Sequence, residues 1–130
     1  MDVNLVGTQL GEFTVGALVG HGGMGSVYLA THPTRHQPLA IKVLLPQYAQ
    51  DAEFRARFVR EGQVLSQLSH PHIIPVYHFG EDSGFLYFVM RYINGKSLYE
   101  LLLSRRFSPI AAWQIIKPIA SALDYAHSHD

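Results

Sequence analysis

The chain has 130 residues, 48% of them apolar, with seven Phe and seven Tyr, enough for one packed domain. Ten basic residues balance ten acidic ones, which removes the one-signed field that nucleic acid or an anionic membrane surface requires. Cysteine is absent, excluding disulfides and thiolate metal sites, and no apolar run approaches the ~18 residues of a membrane span, so the expected setting is cytoplasmic.

Residues 1–9 read as an N-terminal extension. From Leu10 to about Leu44 the pattern is strand-like, with alternating or β-branched runs at Phe13 to Val19, Ser26 to Thr31 and Leu39 to Leu44, a three-stranded antiparallel meander. The polar, proline-bracketed segment His32 to Pro38 joins the second and third strands. Asp51 is placed as the N-cap of a helix to about Leu68, with Phe54, Phe58, Leu65 and Leu68 on one face and Glu61 in the middle of it. Two further strands, about Ile74 to Gly80 and Phe85 to Arg91, are joined by the turn sequence Glu81 to Gly84.

Tyr92 to Lys96 reads as a short linker. Ser97 to Arg105 and Ser108 to Ser128 then carry helical periodicity, Ser108-Pro109 fitting an N-cap followed by proline at the first helical position. Pro118 falls inside the last helix, where its missing N–H and ring clash cost about 3 kcal/mol unless a kink absorbs them, so a bend near Gln114 to Pro118 is predicted. The result is an α+β chain: a five-stranded antiparallel sheet with one helix, followed by two more helices.

Four glycines fall within six residues in Gly20-His21-Gly22-Gly23-Met24-Gly25, followed by Ser26-Val27. Glycine lets backbone N–H groups approach an anion with no Cβ in the way, so such a loop can fold over a polyphosphate. Dinucleotide-binding folds share the Gly-x-Gly-x-x-Gly spacing, but there the last glycine opens a helix, and here it opens a strand. No Gly-Lys-Ser/Thr is present, which removes the P-loop reading. The plain alternative is a glycine-rich hairpin without a ligand.

On the third strand a period of two puts Ala40, Lys42 and Leu44 on one face. Lys42 is flanked there by apolar neighbours and, if buried, needs an anion; Glu61, on an apolar helix face, needs a cation. The two answer each other, and Glu61 can hold the ammonium where it meets nucleotide phosphates.

Gly-x-Gly-x-x-Gly-x-Val, Ala40-Ile-Lys42 and Glu61 together resemble the protein-kinase signature. The phrases G-H-G-G-M-G-S-V-Y, F-V-R-E-G-Q-V-L, H-P-H-I-I-P-V-Y and A-L-D-Y-A-H are most similar to bacterial eukaryotic-like serine/threonine kinases. The resemblance covers about Leu10 to Asp130. It implies a kinase small lobe at 10–91, a hinge at 92–96, and at 97–130 the first two helices of a large lobe. It makes Gly20 to Val27 a flap over the phosphates, Lys42 the phosphate-binding lysine and Glu61 its partner. Val27 and Ala40 would press on adenine from above and Leu98 from below, Met90 would be the gatekeeper, and backbone groups at Arg91, Tyr92 and Ile93 would read the adenine edge. Leu65 and Val76 resemble members of the family's hydrophobic column, although for all these apolar residues ordinary core packing is the competing explanation.

The implied ligands are ATP and, in an intact kinase, Mg2+, with protein Ser/Thr side chains as substrates and no nucleic-acid partner. Arg91 stands where the family usually has glutamate. Gly62 replaces the common alanine beside Glu61, which costs about 1 kcal/mol of helix propensity and predicts a looser helix. His-Arg-Asp-x-x-x-x-Asn and Asp-Phe-Gly, which orient the attacking hydroxyl and hold magnesium, do not occur, and His129-Asp130 is not their start. The chain by itself is therefore expected to be inactive, with Ile116, Ile119, Leu123 and Ala126 leaving an apolar stripe that makes its C-terminal part sticky or partly disordered. The competing functional class is a non-catalytic kinase-like interaction module, against which Lys42, Glu61 and the glycines argue. His70-Pro-His72 and His127-Ser-His129 lack the i, i+4 spacing of a helical metal site and read as polar loop residues.

Overall fold

The computed structural model describes residues 4–21 and 25–128. The chain divides into two compact units, Met1–Gln67 with Pro75–Tyr92, and Leu68–Ile74 with Ile93–Asp130.

The first unit is a six-stranded antiparallel sheet with two helices. Its strands are β1 (Gln9–Leu10), β2 (Phe13–His21), β3 (Gly25–Thr31), β4 (Leu39–Leu44), β5 (Val76–Asp82) and β6 (Phe85–Arg91), in the order β1-β2-β3-β4-β6-β5. Five of the six match the strands read from the sequence. The sixth, β1, is two residues long and pairs Gln9 with Thr14 and Leu10 with Phe13, turning back through Gly11 at φ +59°. Two residues carry too little periodicity to be seen in advance. The segment before β2 is nonetheless part of the core, since Leu5 and Leu10 are 3% and 0% exposed.

Helix α1 (Pro46–Ala49) is also unmarked by periodicity, being a single turn with proline in its first turn. Helix α2 (Ala52–Gln67) begins as predicted: the Asp51 carboxylate accepts the Glu53 N–H at 2.9 Å and lies 3.4 Å from the Phe54 N–H. Strand β5 starts and ends two residues later than expected. Its last residue, Asp82, leads straight into Ser83 and Gly84, both at positive φ (54° and 85°), as a two-residue hairpin turn requires.

Cross-strand pairing sorts the sheet into two faces. Tyr28, Ala30, Leu39, Ile41, Val43, Tyr87 and Val89 fall on one and pack with Leu5, Leu10, Phe13 and Val15 into one apolar cluster. Leu44, Leu86 and Phe88 fall on the other, where Phe58 of α2 and Ala49 of α1 cover them.

In the second unit, α3 (Leu98–Ser104) opens with a reciprocal cap, Ser97 Oγ accepting the Glu100 N–H while the Glu100 carboxylate accepts the Ser97 N–H. Helix α4 (Pro109–His127) is capped by Ser108 and runs unbroken through Pro118, so that proline does not end the helix. The His70 ring lies against Tyr125, its Nδ1 accepts the His72 N–H and its Nε2 lies 3.1 Å from Ser121 Oγ, so this histidine holds the 68–74 segment to α4. His129 lies outside the described residues. Ile116, Ile119 and Leu123 are 52%, 43% and 52% exposed, in keeping with the predicted apolar stripe, and Trp113 adds to it at 60%.

Two outcomes follow. Replacing Ile116 and Leu123 together by lysine should reduce concentration-dependent association in sedimentation while leaving the helical circular dichroism unchanged. Asp82 accepts hydrogen bonds from the Gly11 N–H (2.8 Å) and the Ser83 hydroxyl (3.0 Å), and these, the Gly11 bond foremost, hold its carboxyl below the ordinary value of 3.8. A lowered carboxyl contributes stability above its unfolded value and loses it as pH falls through the folded one. The urea midpoint of Asp82→Asn should therefore lie below wild type near neutrality, and the gap should close as pH falls below 3.8.

Candidate functional site

The site is organised by the register of β3, β4, β6 and β5. Val27 pairs with Lys42, Lys42 with Phe88 and Phe88 with Phe79; two residues along, Leu29 pairs with Ala40 and Ala40 with Met90. Directly paired residues of antiparallel strands share a face. Four of the candidate residues, Val27, Ala40, Lys42 and Met90, are thereby gathered on the face that also carries α2.

Lys42 Nζ donates to Glu61 Oε1 at 3.0 Å, so the partnership read from two misplaced charges is formed. Lys42 is only partly buried. The two side chains are 23% and 36% exposed, and an ion pair so accessible to water contributes roughly 0–1 kcal/mol to stability. The pair fixes a position more than it holds the fold together. Phe88, which pattern alone did not single out, lies beneath the ammonium with its ring centre 5.6 Å from Nζ. Its role depends on which residue of β6 faces Lys42, and that is a matter of register.

The described ends of the glycine-rich segment belong to β2 and β3, with Gly20 opposite Val27 and His21 opposite Ser26. Ser26 is 3% exposed and its hydroxyl lies 3.2 Å from His21 Nδ1. Gly22, Gly23 and Met24 lie outside the described residues. The two described glycines differ. A Cβ on Gly25 would run into the Val43 carbonyl oxygen of the neighbouring strand, so packing alone demands glycine there. A Cβ on Gly20 would meet no atom of the described residues within 4 Å. Packing against the described residues therefore does not require glycine at 20.

At the end of β6, Arg91 is exposed and pairs with Leu39. The Tyr92 N–H donates to the Pro38 carbonyl at 3.1 Å, which commits one of the backbone donors expected to read a base. Ile93 (49% exposed) and Leu98 (41% exposed, first residue of α3) belong to the second unit.

These differences separate the glycines experimentally. Gly25→Ala should destabilise the chain by about 1–3 kcal/mol in urea unfolding, because a strand carbonyl cannot yield as a side chain can. Gly20→Ala should stay within about 0.5 kcal/mol of wild type.

The protein kinase domain family matches residues 13–130. Among curated proteins, the serine/threonine-protein kinase PknD of Mycobacterium tuberculosis is 41% identical over 127 residues, which are 95% of this chain and 19% of PknD. PknE of Mycobacterium bovis is 42% identical over 125 residues, 94% of this chain and 22% of that protein. The chain thus spans about a fifth of the length of the curated relatives it matches. Among solved structures, the PknI kinase domain of M. tuberculosis superposes with a TM-score of 0.82 at 36% identity, covering 98% of this chain and 52% of that one. The family match running from residue 13 to residue 130, the relatives about 40% identical over nearly the whole chain and the superposition on a kinase domain establish that this chain belongs to the protein kinase family and is related to the serine/threonine kinases.

Proposed function

We propose that these residues form the ATP-binding part of a serine/threonine protein kinase, and that the longer protein transfers the γ-phosphoryl group of Mg-ATP to Ser or Thr hydroxyls of a protein substrate. The observation that carries the reading is the Lys42–Glu61 pair, formed at 3.0 Å on the same sheet face as Val27, Ala40 and Met90. A partly exposed ammonium, held by a carboxylate over an aromatic ring, is a ready cation for an anionic phosphate chain.

In this reading Lys42 binds the phosphates and Glu61 holds it in place. Gly20, His21, Gly22, Gly23, Met24 and Gly25 cover the phosphates with backbone N–H groups, and the lack of any described atom within 4 Å of a Cβ on Gly20 suits that role. Val27 and Ala40 take one face of the adenine and Met90 the back of its pocket. Because the Tyr92 N–H is held by Pro38, the adenine edge is read by the remaining backbone groups of Arg91, Tyr92 and Ile93. A contact made by the backbone also explains why arginine is acceptable at position 91. ATP, when bound, supplies the phosphoryl group. The magnesium ligands belong to motifs that these 130 residues do not contain.

The test is calorimetric titration of the chain with a non-hydrolysable ATP analogue. Lys42→Met should weaken binding about 10- to 100-fold, the equivalent of a charge-assisted hydrogen bond of about 1.5–3 kcal/mol. Equal affinity in wild type and Lys42→Met would overturn the assignment.

A further inference from the structure

Gly62 follows Glu61 in α2, and helix propensity alone marks it as a weak point. Its surroundings point elsewhere. Gly62 and Phe58 are the buried residues of α2, and with Leu65 they lie at i, i+4 and i+7, one face of the helix. A Cβ on Gly62 would stand 2.5 Å from Cδ2 and 2.8 Å from Cε2 of Phe79 in β5. Phe79 is half-buried and packs against the second apolar cluster with its ring centre 6.1 Å from that of Phe58, so a retreat of the ring would disturb that contact. The aromatic row continues from Phe58 to Phe88 at 5.2 Å, and Phe88 is the ring beneath Lys42.

Successive helical residues are about 100° apart, so while Gly62 faces β5 the adjacent Glu61 is turned toward β4, where it meets Lys42. The depth at which α2 sits over Phe79 therefore sets the reach of the Glu61 carboxylate. Carbon atoms in ordinary contact stand about 3.5–4.0 Å apart, so a methyl group at position 62 would have to withdraw roughly 1 Å. A withdrawal of that size takes a 3.0 Å hydrogen bond beyond bonding range.

We propose that Gly62 and Phe79 form a positioning contact: the missing Cβ lets α2 settle onto the Phe79 ring deeply enough for Glu61 to hold Lys42. Gly62 is then what brings the helix close, and the looser helix that its propensity suggested is opposed by the packing it permits. The consequence for nucleotide binding rests on the phosphate-binding role given to Lys42, whereas the contact itself does not.

The chain has three lysines, Lys42, Lys96 and Lys117, so the Lys42 ammonium can be followed by nitrogen NMR and assigned by its loss in Lys42→Met. The pair is read as the shift change that Glu61→Gln causes at the Lys42 ammonium. That change should be present in the wild-type background, lost in Gly62→Ala, and restored in Gly62→Ala with Phe79→Leu, where the smaller side chain makes room. Affinity for the ATP analogue should fall about tenfold in Gly62→Ala, the equivalent of one lost charge-assisted hydrogen bond, and recover in the double variant.

An undiminished Lys42 response in Gly62→Ala would overturn the proposal, even if nucleotide affinity fell. A lost and rescued response with unchanged affinity would uphold the positioning contact and overturn the phosphate role of Lys42. If Gly62→Ala does not fold, the double variant decides: folded with the pair restored supports the proposal, and unfolded or unpaired overturns it.

Discussion

The row Val27, Lys42, Phe88, Phe79 crosses four neighbouring strands, and the geometry of the site depends on its register. Side chains alternate between faces, so a slip of one residue in β4 would send Lys42 to the face occupied by Tyr28, Ile41 and Val89 and leave Glu61 without its partner. The register is held because both faces are buried, each by its own apolar cluster. A slip would therefore misplace a core residue at every other position, and the packing of two cores fixes where one charge points.

The electrostatics of the site are modest by comparison. Lys42 and Glu61 are open enough to water that their attraction is largely screened, and the same holds for Arg55–Glu81, which ties α2 to β5 at 2.7 Å with side chains 40% and 47% exposed. What holds α2 over the sheet is the apolar contact of Phe58 with Phe79 and Phe88 and the packing of Leu65 and Val76 against the same cluster. Fully burying an aromatic side chain is worth about 1.5–3 kcal/mol, more than either ion pair. An accessible lysine has an advantage for a ligand-binding role, since its charge is not spent on a buried partner and its surroundings can admit a second anion.

The glycines illustrate how one residue type serves different physical needs. Gly84 takes a positive φ in the β5–β6 turn, Gly25 lets the backbone of β4 pass close by, and Gly62 admits an aromatic ring against a helix. Among the described residues none places such a constraint on Gly20, which is why the phosphate-loop reading rests more on it than on Gly25. In the sequence the four are equivalent letters, and spacing led Gly20 and Gly25 to be grouped as one motif.

Much of the molecule was legible in the chain itself. Period-two alternation and β-branched runs mark five strands, and Asp51 and Ser108 mark two helix starts, because burial patterns and capping chemistry are local and act within a few residues; Lys42 and Glu61 point to each other because each is a charge set among apolar neighbours on its own element. Strand β1 and helix α1 escaped because two to four residues hold no period. Tertiary structure alone decided the quantities that depend on which distant residues meet: that Phe88 lies under Lys42, that the Pro38 carbonyl holds the Tyr92 N–H, and that Phe79 occupies the space a side chain at position 62 would need. Sequence fixes what each residue can do within its own element, whereas register and helix docking are properties of the packed whole, where a difference of one residue or one ångström changes the partner.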